Sequence, residues 1–128
     1  MRNLTRAVKI GSVTIGGNNL IAVQTMASTH TTNIKELIEQ IKTFENVGAD
    51  IARIAIDSKA DVEALKVIRE NTTMNLAVDI QENYRLIELI AKSVDKVRYN
   101  PGHLWHHEPK KSWQDKVQFI AETAGKNN

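Results

Sequence analysis

Arg53 stands inside a short apolar segment, Asp79, Arg98 and Asn100 stand at or near the ends of others, and three of the four histidines crowd into 103–107. Guanidinium groups grip phosphate and carboxylate oxygens with two parallel hydrogen bonds. A carboxylate among them can orient an arginine or a substrate hydroxyl. The run His103-x-x-His106-His107-Glu108 offers imidazoles that can converge on zinc or iron if the loop folds back. It follows Pro101-Gly102, however, and no helix fixes its histidines on one face, so a solvent-facing loop with one histidine turned to a ligand is expected.

Which chemistry is built depends on the elements carrying these residues. "AVKIG" and "VTIGG" alternate and meet at Gly11-Ser12, which predicts a β-hairpin over 7–17. From residue 20 onward the pattern becomes strand, helix, strand, helix. Strands are expected at 20–25, 51–56, 75–80 and 96–100. The first helix starts at Thr32-Asn33, with Glu36 at the capping-box position. Its stripe is Ile34, Leu37, Ile38, Ile41, Phe44 and Val47, and Gly48 ends it. Ser58 with Asp61 starts a second helix that buries Val62, Leu65 and Ile68. A third carries Leu86, Ile87 and Ile90. Ser112 with Asp115 starts a last helix, which carries Val117, Ile120 and Ala124 and closes at Gly125. Four βα units predict an α/β fold with a parallel sheet, either half of a (β/α)8 barrel or a small open sheet.

The phase of the polar residues separates these two. Side chains alternate along a strand, so Ala52, Ile54 and Ile56 share one face, while Arg53, Ala55 and Asp57 share the other. Leu76, Val78 and Ile80 likewise oppose Ala77 and Asp79. Val97 and Tyr99 oppose Arg98 and Asn100, and Ile21, Val23 and Thr25 oppose Ala22, Gln24 and Met26. A doubly wound sheet buries both faces and reads as continuously apolar. A barrel turns one face inward, and its residues near the C-terminal mouth line a site. Gln24, Arg53, Asp79, Arg98 and Asn100 are therefore read as site residues. A purely structural Arg53–Asp79 pair is the plainer reading of two of them, but it leaves the other three unexplained. Two inward arginines against one carboxylate call for an anionic ligand, most simply a phosphate or diphosphate.

Composition narrows the class. Hydrophobic residues make up 41% and charged residues 25% of the 128, as in a globular protein, and the net charge is +2. No block of like charge suggests nucleic acid, and no apolar run is long enough for a membrane span or a signal peptide, so a cytoplasmic protein is expected. Trp105 and Trp113 around Lys110-Lys111 are weak grounds for base stacking. Neither common nucleotide fingerprint nor a hydrolase elbow occurs. Cysteine is absent, which excludes disulfides and thiolate-ligated metal sites made by this chain alone.

"IAVQTMASTHTTN", "VGADIARIAI", "NLAVDI" and "DKVRYNPG", in that order and spacing, resemble the N-terminal half of the 4-hydroxy-3-methylbut-2-en-1-yl diphosphate synthase family. The resemblance implies the first part of a TIM barrel spanning 1–128, with the family's C-terminal iron-sulfur domain lying outside the sequence. It implies reductive opening of 2-C-methyl-D-erythritol 2,4-cyclodiphosphate, with electrons from ferredoxin or flavodoxin. It also implies a four-iron four-sulfur cluster, held in the family by three cysteines and a glutamate, and a homodimer at full length. The family's substrate-diphosphate arginines fall on Arg53 and Arg98, its strand-four asparagine on Asn100 and its strand-three aspartate on Asp79. The chain departs from the commoner pattern at Gln81 and His103, where histidine and asparagine are usual, and at Asn33, which replaces a frequent aspartate. His103 is thereby a candidate ligand-facing residue, with Gln24 beside it. Without cysteines the 128 residues are expected to be inactive alone. Two other readings are a non-catalytic half-barrel that dimerises and binds a phosphorylated metabolite, and a barrel of the pteroate-synthase type.

Overall fold

The computed structural model describes residues 3–127. Strands β1 (Val8–Ile10) and β2 (Val13–Ile15) pair antiparallel, with Ile10 opposite Val13, so Gly11 and Ser12 form the two-residue turn. Gly11 has φ +56, a left-handed conformation that suits a glycine in this turn.

The rest is one parallel sheet whose strand order follows the chain: β3 (Gln24–Met26), β4 (Ile51–Ile56), β5 (Asn75–Ile80) and β6 (Lys96–Tyr99). Helix α1 (Ile34–Asn46) joins the first two strands, and α2 (Lys59–Glu70) joins the next two. The third connection is a short helical segment, with 3-10 turns at Tyr84–Leu86 and Ala91–Ser93 flanking α3 (Ile87–Ile90). Helix α4 (Trp113–Gly125) follows the histidine loop. Among the described residues no helix is long and apolar enough to cross a membrane.

The helices cover one face of the sheet. Ala52, Ile54, Ile56, Leu76, Val78 and Ile80 pack there against Leu37 and Ile41 of α1, Leu65 and Ile68 of α2, and Ile87, Ile90 and Ile120. Each fully buried leucine or isoleucine contributes about 1.5–3 kcal/mol of burial. Val47 is the one residue of the expected α1 stripe that misses the core, 76% exposed at the C-cap, where the helical phase is lost before Gly48 turns to φ +81. Ser58 and Asp61 form the expected reciprocal capping box. Asn33 does not form one: its side chain contacts the Glu36 carboxylate and leaves the backbone uncapped.

The first strand is shorter than expected. Residues 20–23 lie outside it, and Leu20, Ile21 and Val23 are 91%, 79% and 54% exposed, so Ile21 and Val23 do not join the helix layer. The cause is pairing: β4 begins only at Ile51, opposite Gln24, and earlier residues have no ladder neighbour. Val23 is the last residue tied in, donating to Asp50 Oδ2 at 2.7 Å and accepting from Asp50 N at 2.8 Å.

The hairpin closes the N-terminal end of the other face. Ile10, Ile51 and Ala77 form a second small core with Ile15 against it. A polar latch holds this contact. Asn75, 7% exposed, accepts from Ser12 N at 2.8 Å and donates to Asp50 O at 2.9 Å. Such pairing is what a buried amide requires. One face under helices and one face with a floor and charged side chains above it is the plan of a partial barrel.

Candidate diphosphate site

Strand register places the charged residues in two rows. Met26, Arg53, Ala77 and Lys96 lie side by side across all four strands, and Ala55, Asp79 and Arg98 form the next row toward the C-terminal mouth. The side chain of Asp79 is 8% exposed and receives both arginines. Arg98 Nη1 donates to Oδ1 at 2.9 Å and to Oδ2 at 3.1 Å, and Arg53 Nη2 donates to Oδ2 from the row below. Burial alone would raise the Asp79 pKa. The hydrogen bonds from Arg98 and then Arg53, with their charges, outweigh it and hold the carboxyl below its ordinary value.

One shared carboxylate thus orders two guanidinium groups whose side chains remain 24% and 43% exposed. Both oxygens of Asp79, the residue expected to be catalytic, are engaged by the arginines. The sequence-derived set is brought together only at Arg53, Asp79 and Arg98. Gln24 lies one row lower, where its Oε1 accepts from Lys96 Nζ at 2.8 Å. Asn100 follows the end of β6, and its Oδ1 caps the turn Pro101–His103 by accepting from Gly102 N at 3.0 Å. His103 is exposed in that turn.

The histidines do not converge. His103 and His106 rings meet edge to face with centroids 6.4 Å apart, His106 stacks on Trp105, and His106 Nε2 lies 3.3 Å from Glu82 Oε1. Among the described residues no group of three or more His, Cys, Asp or Glu is placed to hold a metal ion. The donor set also lacks any cysteine, so it does not fit an iron-sulfur cluster.

Three features escaped sequence reasoning. Lys96 shares the parity of Arg98, and that signal was available. Lys116 interrupts the apolar side of α4, yet it is 1% exposed and donates to the carbonyls of Leu104 and His107, anchoring the histidine loop from beneath. Glu108, at φ +54, accepts from Arg85 Nε and Nη2 at 2.7 and 2.9 Å and from the Tyr84 hydroxyl. The Arg85 hydrogen bonds, then that of Tyr84, lower the Glu108 pKa to about 2, while burial and then Glu108 push Tyr84 up to about 12.

A parallel half-barrel with a floor at one end and paired arginines toward the other defines a partial α/β barrel domain. Residues 5–128 match the family model described as the GcpE TIM-barrel domain, and the chain belongs to that family. It is 54% identical over 127 residues to a protein of Rhodopirellula baltica named 4-hydroxy-3-methylbut-2-en-1-yl diphosphate synthase (flavodoxin), covering 99% of this chain and 33% of that protein. Proteins of the same name from Caldanaerobacter subterraneus and Pasteurella multocida are 42% and 34% identical, over 84% and 99% of this chain and 31% and 33% of theirs. The chain spans about a third of the length of these curated relatives.

Proposed function

We propose that this domain forms part of the substrate barrel of a 4-hydroxy-3-methylbut-2-en-1-yl diphosphate synthase, with Arg53 and Arg98 binding the diphosphate of 2-C-methyl-D-erythritol 2,4-cyclodiphosphate. The observation that carries this is the pair of guanidinium groups ordered by Asp79 on the face of the sheet that the helices leave free. Partly exposed arginines held by one carboxylate keep donors for a second oxyanion, and their preset geometry lowers the entropy of gripping it. Asn100 keeps its amide NH2 for the same ligand while its oxygen is engaged in the turn. His103 lies beside it as a candidate contact at the mouth.

The relatives' name supports flavodoxin as electron donor, with ferredoxin serving the same role. The residues described here bind and orient. A four-iron four-sulfur cluster would come from cysteines outside this sequence, in a homodimer of the full-length protein, and the 128 residues alone would be inactive. A cytoplasmic location follows from this reading.

The test is calorimetric titration of the cyclodiphosphate into the full-length protein that contains this domain. Arg53→Ala and Arg98→Ala should each weaken binding about tenfold or more, as expected for loss of a charged hydrogen-bonding partner. Affinities equal to that of the parent would refute the assignment.

A further inference from the structure

The concave face carries a third cation. Lys96 stands in the same row as Arg53 with only Ala77 between them. Ala77 is fully buried against Ile10 and Ile51, so an apolar floor closed by the hairpin lies between two long basic side chains. The Lys96 ammonium donates to Gln24 Oε1 at 2.8 Å, from the last strand to the first. In a flat sheet three strand spacings of about 4.8 Å would separate those strands. The sheet therefore curls toward this face, and the curl brings Lys96 over it. Gln24 is neutral. It takes one of the three N–H donors and none of the charge.

The charge on the face follows from the strands. Arg53, Lys96 and Arg98 point to it, and Asp79 is the one carboxylate of that parity within β4–β6. Asp57, the next acidic residue of that parity, lies exposed beyond the end of β4. Two positive charges remain, and a cyclic diphosphate carries one ionised oxygen on each phosphorus. We propose that Lys96 is a third binding cation of the diphosphate site, matching the second phosphoryl group while Arg53 and Arg98 hold the first. The proposal rests on the diphosphate reading above. Its role is in affinity, through a point charge, and Gln24 is the residue that holds the ammonium over the floor.

The experiment titrates inorganic diphosphate into the full-length protein and three variants. Lys96→Met and Lys96→Gln should each raise the Kd about tenfold, the worth of one charge-assisted hydrogen bond. Lys96→Arg should stay within about threefold of the parent, because it keeps the charge. With the natural substrate, Lys96→Met should raise KM with little change in kcat. A Lys96→Gln protein that binds as tightly as the parent while Lys96→Met does not would show that only the bond to Gln24 matters, and would overturn the proposal. So would a Lys96→Met Kd within twofold of the parent when Arg98→Ala raises it. If Arg98→Ala leaves the Kd unchanged as well, the diphosphate reading falls and this one falls with it.

Discussion

Replacing Asp79 by asparagine preserves shape and one acceptor but removes the charge that orders two arginines. The cost can be worked from exposure. Arg53 and Asp79 are 24% and 8% exposed, a nearly buried pair whose loss is of order 2 kcal/mol. Arg98 is 43% exposed, so water screens its share to about 0.5 kcal/mol or less. The two guanidinium groups left facing each other add a little repulsion, which gives about 2–3 kcal/mol at neutral pH. The pH dependence has a definite sign. Asp79 has a folded pKa below its unfolded value, so its contribution is fully present above about 3.9 and is lost as pH falls through the lower folded value. Urea unfolding of the chain, followed by far-ultraviolet circular dichroism, should show Asp79→Asn less stable near pH 7 and the gap narrowing as the pH is lowered below about 3.9. A variant as stable as the parent at neutral pH, or a gap unchanged by acid, would refute the account of Asp79 as the organising charge.

Further predictions follow from the supports around the site. Gly11→Ala puts a Cβ 2.1 Å from Asn75 Oδ1 at φ +56, so the hairpin latch must open. It should cost about 2 kcal/mol and speed amide exchange of Ser12, seen by hydrogen–deuterium exchange. Lys116→Met removes the ammonium that holds the Leu104 and His107 carbonyls, and limited trypsin digestion should then cut faster at Lys110 and Lys111. Arg85→Ala removes the largest cause of the low Glu108 pKa, so the Glu108 carboxyl, followed by NMR, should titrate well above the parent's value of about 2.

Most of the sheet was legible because its strands obey a simple period. β4 and β5 begin and end where alternation said, and the parity that set Arg53, Asp79 and Arg98 apart from Ile54, Val78 and Val97 is the parity observed. The start of β3 was not legible, because strand pairing needs a neighbour and the sequence of 20–25 does not say which residue stands opposite Ile51. Ser58 announced its cap, whereas Asn33 turned to a side chain instead. The histidines drew attention as ligands, yet what orders their loop is Lys116, a residue whose burial no polarity pattern suggests. Asp79 was found by phase, but that one carboxylate serves both arginines depends on register, which only the paired strands reveal.

The latch between Ser12 and Asn75 joins residues 63 apart, and Ala77 and Asp79 follow Asn75 on the same face. A slip of β5 by one position would put Met74 or Leu76 against the hairpin turn, where the Ser12 amide would lose its acceptor. The same slip would bury the Asp79 carboxylate among the helices. The hairpin therefore works as a gauge. The first strands of the chain measure whether a later strand has arrived in the alignment that turns its carboxylate toward the arginines.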